Sequence, residues 1–449
     1  MRLRFWTAAF FVAIAALPYL LLVATRAPRE APVPAEAEVL TILSPHRREV
    51  RGEYRRAFRD WMRRTQGREV DIRWLDVGGA SKMLKELESR YAAASNNPGA
   101  DLLFGGGIAP YVTAGRQGWL QTLTLSPDAS AAIPPTCTGA PVYDLTNGWA
   151  GVALSGFGIL YNRPVLERLG LPVPRDWDDL GRPEFYSWVG SGDPRSSGSV
   201  HMCYEIILQA GGFDAGWNLI VRLCANVRAF GDSGGVVPRE VAAGDIAAGM
   251  AIDQYAMTVA EAVGGDRLVF VLPARRTVNN ADTIGLLRGA PHAALAREFI
   301  AFALSETGQR LLYQPAGTNG QRTALYRMPV RADLYRDPLA PRPNPYTLPA
   351  GMTYDTEKSS RRWDTLNDLC GVWLLDAHAD LRRAWQAVIR RGCRPEEVAR
   401  LTAPPVSEAE LDALRQVWRD PRRRETVLRR WADEARTRYR VLADGRHDS

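Results

Sequence analysis

The stretch Gly192-Asp193-Pro194-Arg195-Ser196-Ser197-Gly198-Ser199 is followed at once by an apolar run carrying Val200, Met202, Tyr204, Ile206, Ile207 and Leu208. Small hydroxyl residues that open a helix make a ready-made anion site. Their side chains accept from the orphan backbone N–H groups of the first turn, and the remaining N–H groups, with the positive end of the helix dipole, attract negative charge. An ordinary N-cap without a ligand carries the same local signature, so the surrounding chain decides between the two readings.

Upstream, Val39 to Leu43 reads as a strand ending in Ser44-Pro45-His46, and the segment from Arg51 to Arg64 places Tyr54, Phe58, Trp61 and Met62 on one helical face. Val70 to Leu75 alternates with Asp71, Arg73 and Asp76, Gly78-Gly79 turns the chain, and Met83, Leu84, Leu87 and Tyr91 mark a second amphipathic helix. Asp101-Leu102-Leu103-Phe104 then runs into Gly105-Gly106-Gly107. Repeated βα units imply an α/β sheet covered by helices on both faces, with ligand sites beyond the carboxyl ends of its strands.

A second lobe begins near Trp149, with strands expected at Val152 to Leu154 and Gly158 to Asn162. It includes the serine-rich loop, then Val227 to Phe230 leading into Gly231-Asp232-Ser233-Gly234-Gly235, a helix from Pro238 to Ala247, and a strand from Gly249 to Ile252 that ends at Asp253-Gln254-Tyr255. The expected divisions are lobe 1 over 39–148, lobe 2 over 149–262, a return to lobe 1 over 263–305, and the lobe 2 end with a linker over 306–345. A helical C-terminal extension follows over 346–449, whose Trp363, Trp373, Trp385, Trp418 and Trp431 are expected to pack as core against the lobes.

Length and composition agree with this plan. The chain has 449 residues, 46% of them apolar, enough for two substantial cores. Its 57 basic and 50 acidic residues give a net charge of +7, and the arginines are scattered among acids, which gives nucleic-acid binding little support. Arg2 and Arg4 precede an apolar run from Phe5 to Ala24, so residues 1–27 read as an export signal, either a signal peptide or an uncleaved inner-membrane anchor, and 28–38 as a spacer. The cysteines at 137, 203, 224, 370 and 393 allow one or two disulfides in an oxidising compartment, with 203–224 and 370–393 the nearest pairs.

Two motifs suggest enzymes. The Gly231 to Gly235 segment reproduces the nucleophile signature of chymotrypsin-like serine proteases, which makes an exported hydrolase using Ser233 the alternative from another class. That chemistry needs a histidine base and a buried aspartate on a double β-barrel, and this chain alternates strands with helices. Gly105 to Gly107 lacks the lysine and the Ser/Thr of a phosphate-binding P-loop. The candidate ligand-binding residues are His46, Gly106, Gly107, Ser196, Ser197, Gly198, Ser199, Ser233, Gly234 and Tyr255, all at strand-to-helix loops. Donors and small residues without a nucleophile–base pair describe binding rather than catalysis.

With these residues assembled, the chain resembles the periplasmic solute-binding proteins of ABC importers, in the group that contains ferric-ion, phosphonate, sugar-phosphate, thiamine and polyamine binders. The resemblance runs from Val39 to Leu325. It is carried by ADLLFGGG at Ala100 to Gly107, GILYNRPVLERLGLPVPRDWDDL at Gly158 to Leu180, GDPRSSGS at Gly192 to Ser199, GDIAAGMAIDQYA at Gly244 to Ala256, and NNADTIGLLRGAPHAALAREFIAFALSETGQRLL at Asn279 to Leu312. It implies a type II fold of two α/β lobes joined by crossing strands and closing on ligand by a hinge.

The resemblance further implies that Ser196 to Ser199 hold an anionic group, that Ser233 to Gly235 approach from the same lobe, and that His46 and Gly105 to Gly107 approach from the other. The expected ligand is a small anionic solute such as a phosphate ester or phosphonate, with no cofactor, and the expected partners are the ABC permease subunits. The protein is expected in the periplasm or envelope as a monomer. Ferric iron with a synergistic anion is the alternative, held by His46 and Tyr255. Ferric binders of this group use two adjacent tyrosines where this chain has Gln254-Tyr255.

Overall fold

Strand β1 (Glu38–Ser44) pairs in parallel with β2 (Val70–Asp76) and with β3 (Leu102–Phe104), and helices α1 (Arg48–Gln66) and α2 (Ala80–Ala93) connect them. On α1 the spacing of Val50, Tyr54, Phe58 and Met62 puts all four on one buried stripe, as the periodicity predicts. The computed structural model describes residues 34–445 apart from 35, 342, 349 and 350. The expected signal or anchor at 1–27 lies outside the described residues, among which no helix is long and apolar enough to cross a membrane.

The lobes are joined by two long strands. Strand β4 (Trp149–Asn162) is buried along its whole length. Its first half pairs with β9 (Asn279–Leu286), and its second half pairs with β7 (Ala248–Ile252) and β8 (Leu268–Val271). The sequence reading expected two separate strands here. One continuous strand forms because Gly156 and Gly158 let β4 pass close to Leu272 and to the Val271 carbonyl, where a side chain would collide. The main sheet runs β2-β1-β3-β9-β4-β7-β5-β6, with β5 (Val189–Gly192) and β6 (Val227–Gly231) at the far edge.

Two large cores correspond to the two lobes. One gathers Leu40, Ile42, Tyr54, Phe58, Leu102, Phe104, Ile284 and Phe299; the other gathers Ile159, Trp177, Tyr204, Trp217, Leu223 and Met250. These cores correct the expected divisions. Segment 306–345 belongs to the first lobe, because Leu311, Leu312, Leu325, Val330 and Leu334 pack in its core. The return to that lobe begins at β9 rather than at 263, since β8 pairs with the second-lobe half of β4.

The C-terminal extension is helical, as expected. Helix α10 (Thr356–Cys370) is capped by Asp355, whose side chain accepts from the Lys358 N–H, and runs into a π-turn (Gly371–Leu375). Helices α11 (His378–Arg390), α12 (Pro395–Thr402), α13 (Glu408–Ala413) and α14 (Pro421–Asp444) follow. Trp373, Trp385 and Trp431 are fully buried in the second-lobe core. The lobes themselves carry α3 (Ala109–Arg116), α4 (Gly198–Gly211), α5 (Phe213–Asn226), α6 (Val236–Ala243), α7 (Asp253–Val263), α8 (Ala293–Leu304) and α9 (Glu306–Arg310). All five cysteines are free thiols, so neither expected disulfide is present; four of them are buried within the cores as ordinary apolar side chains.

Candidate functional site

A cleft of about 680 Å³ lies between the lobes, and every one of the ten candidate residues lines it. From the first lobe come His46, Gly106 and Gly107; from the second come Ser196 to Ser199, Ser233, Gly234 and Tyr255. The second-lobe loops pack directly on each other. A Cβ on Gly234 would run into Ser199 Oγ, and Ser197 Oγ and Ser199 Oγ lie 3.1 Å apart. Ser196 is turned away from this pair, its hydroxyl donating to the carbonyls of Asp193 (3.1 Å) and Asp232 (2.7 Å). Helix α4 starts at Gly198 after Ser197, and no side chain caps it. Gly198 and Ser199, its first residues, line the cleft, so the uncapped helix start lies at the cleft wall.

The first-lobe wall is an ionic knot that the sequence reading did not identify. His46 Nε2 and Asp282 Oδ2 are 2.8 Å apart, and Arg327 bonds the same carboxylate. The second carboxylate oxygen accepts from the Gly107 N–H at 3.2 Å. His46 Nε2 also lies 3.1 Å from the Arg327 guanidinium, so it faces both members of the pair, and Nδ1 is buried without a partner. Burial opposes ionisation of Asp282, but the Arg327 guanidinium and then His46 outweigh it and hold the carboxyl well below the usual carboxylate range. Burial pushes the His46 imidazole below its ordinary value, with Asp282 opposing. The glycine loop is pinned to this knot: Gly105 N–H donates to the Thr283 carbonyl at 2.7 Å, and the Tyr111 hydroxyl donates to the carbonyls of Thr283 (2.8 Å) and Gly105 (3.1 Å). Gly105 has φ +96°, and a Cβ there would stand 2.6 Å from the His46 ring.

The floor of the cleft is the crossing of β4 and β9. Ser155 and Asn280 are register partners in that pair, both line the cleft, and both are almost fully buried. Ser155 Oγ and Asn280 Oδ1 have no hydrogen-bond partner. A buried polar oxygen without a partner is costly, so a pair of them at the cleft floor makes this place a candidate for ligand contact. Nearby, burial pushes the Asp253 carboxyl up to about 7, against the N–H groups of Gly156 (2.9 Å) and Gln254 (2.6 Å) that bond it.

The lobes touch across the cleft. The Arg47 guanidinium lies 4.8 Å from the centre of the Tyr255 ring, and a Cβ on Gly79 would stand 2.9 Å from the Ser196 carbonyl oxygen. Trp363 of the extension also lines the cleft. Ser233 is exposed, and the described histidines on its own lobe are engaged elsewhere: His201 Nδ1 with Asn367 Oδ1 at 2.7 Å and His378 with the Cys224 carbonyl. No nucleophile–base pair is formed at the Gly231 to Gly235 turn.

Two α/β lobes are joined by crossing strands and enclose one cleft between them. Residues 115–317, a little under half of the chain, match the family described as bacterial extracellular solute-binding protein. Phosphoglycerate transport regulatory protein PgtC of Salmonella typhimurium is 33% identical over 161 residues, 36% of this chain and 40% of PgtC, so the match spans about two-fifths of that relative. In fold, the chain is similar to the periplasmic binding protein AfuA of Actinobacillus pleuropneumoniae, solved with fructose-6-phosphate bound (TM-score 0.59, 23% identity, 79% of this chain and 99% of AfuA). It is also similar to iron-bound HitA of Pseudomonas aeruginosa (TM-score 0.56, 18% identity, 74% of this chain and 99% of HitA).

Proposed function

We propose that this chain is the solute-capturing component of an ABC importer in the cell envelope, and that its solute is a small organic anion of the phosphate-ester class. The observation that carries this reading is the meeting, on one cleft, of the uncapped α4 N-terminus with the buried, unpartnered Ser155 Oγ and Asn280 Oδ1. The first-turn N–H groups and the hydroxyls of Ser197 and Ser199 donate to phosphoryl oxygens. Ser155 and Asn280 accept from hydroxyl groups on the organic body, and Gly234 lets its loop close on the same anion. Arg47, on the opposite lobe, adds positive charge as the cleft shuts. His46 serves as a brace for Asp282 and Arg327, which fix the glycine loop.

The fructose-6-phosphate bound in AfuA and the phosphoglycerate transport in the name of PgtC support this choice. Iron, which is bound in HitA, is less well served here. The Arg327 guanidinium sits 3.1 Å from His46 Nε2 and Arg47 covers the Tyr255 ring, so both proposed iron ligands lie beside a cation. The permease subunits of the importer are the proposed partners.

Thermal unfolding of the full-length chain with fructose 6-phosphate, 3-phosphoglycerate, inorganic phosphate and ferric citrate tests the reading. A ligand at a hundredfold excess over its Kd stabilises by about 2.7 kcal/mol, a shift of a few degrees in Tm. A shift with a phosphate ester is expected. A shift with ferric citrate alone, lost in Tyr255→Phe, overturns it in favour of iron.

A further inference from the structure

The family match ends at residue 317, yet the cleft has a wall from beyond it: Trp363 of α10. The indole Cη2 is 3.6 Å from where a Cβ on Gly198 would stand, so the ring edges the first residue of α4 and the missing side chain leaves a gap between them. Its back is supported by the His201 ring, 3.7 Å away between centroids. His201 is fully buried, with Nδ1 held by Asn367, and burial lowers its pKa to about 4, so the support stays uncharged.

The position of α10 is fixed on both sides of the cleft. Arg362, the residue before Trp363, makes a fully buried ion pair with Glu205 of α4, at 2.7 and 3.0 Å. On the other side, Ser360 Oγ is hydrogen-bonded to Thr113 Oγ1 of α3 at 2.9 Å, and Glu357 pairs with Arg116. A large flat apolar ring is thus held at a set place next to an anion-attracting helix start. Phosphoryl oxygens have no use for such a surface, whereas the C–H face of an organic group does.

We propose that Trp363 is a specificity-determining residue of the cleft, its indole face bearing the organic body of a phosphate ester whose phosphoryl group sits at the α4 N-terminus. The inference rests on the phosphate-ester reading above and adds that the C-terminal extension selects esters over inorganic phosphate.

Calorimetric titration of the full-length wild type, Trp363→Ala and Trp363→Phe with fructose 6-phosphate and with inorganic phosphate tests it. Trp363→Ala is expected to weaken the ester about tenfold or more, Trp363→Phe to restore most of that loss, and inorganic phosphate to change by less than about twofold in either variant. Where Trp363→Ala does not fold, Trp363→Leu, which keeps apolar bulk without a flat ring, takes its place with the same expectation. Equal losses for ester and inorganic phosphate, or no loss for the ester, overturn the proposal while leaving the anion site standing. A wild type that binds neither compound overturns both.

Discussion

His46 Nε2 and Asp282 Oδ2 lie 2.8 Å apart although 236 positions separate them in the chain, and the buried Arg327 guanidinium shares the same carboxylate. The knot ties the end of β1 to the middle of β9 and to the glycine loop. Asp282→Asn leaves the Arg327 charge buried without its counterion, a change expected to cost about 3–5 kcal/mol in denaturant unfolding. Because the Asp282 pKa is depressed on folding, its stabilisation is present above the unfolded carboxyl pKa and is lost as pH falls below about 4. An Asp282→Asn variant as stable as wild type at pH 7 contradicts this role.

His201 adds a second acid sensitivity of the same sign, at higher pH. Its folded pKa of about 4 lies below the unfolded value of about 6.5, so between these values the unfolded chain binds a proton that the folded chain does not. Its contribution is therefore flat above about pH 6.5 and falls by about 3 kcal/mol as pH drops to 4. Unfolding free energies across this window are expected to slope less in His201→Gln, and the His201 ring signals in NMR are expected to keep their neutral shifts at pH 5.5.

Closure of the cleft is tested at Gly79. The Cβ of Gly79→Ala would stand 2.9 Å from the Ser196 carbonyl oxygen, a contact between lobes and not within one. The variant is expected to fold normally, to bind a phosphate ester about tenfold more weakly, and to show a larger radius of gyration in solution scattering with ligand present. Unchanged affinity means that closure at this point is not needed for binding.

Much of the site was legible because small and hydroxyl residues cluster at the ends of strands. Gly105 to Gly107, Ser196 to Ser199 and Ser233-Gly234 announce themselves as loops, and the βα rhythm places such loops on one rim. Asp282, Arg327, Ser155 and Asn280 were missed because each is a polar residue inside or beside a buried strand, where its role depends on which distant strand pairs with it. The run Asn279-Asn280-Ala281-Asp282, three polar residues entering a buried strand, was the available signal. Trp363 looked like one more core tryptophan. Nothing in helical periodicity separates a ring that faces a cleft from one that faces a core, and only the packing of α10 against both lobes does so.

In the proposed function the first turn of α4 holds the anionic group. Isothermal titration of fructose 6-phosphate into wild type and Ser199→Asp tests it most directly. A carboxylate in the first helical turn stabilises the helix by about 0.3–1 kcal/mol and places negative charge where the phosphoryl group is expected. The variant is expected to unfold no earlier than wild type and to bind the ester at least about a hundredfold more weakly. A variant that binds the ester as tightly as wild type contradicts it.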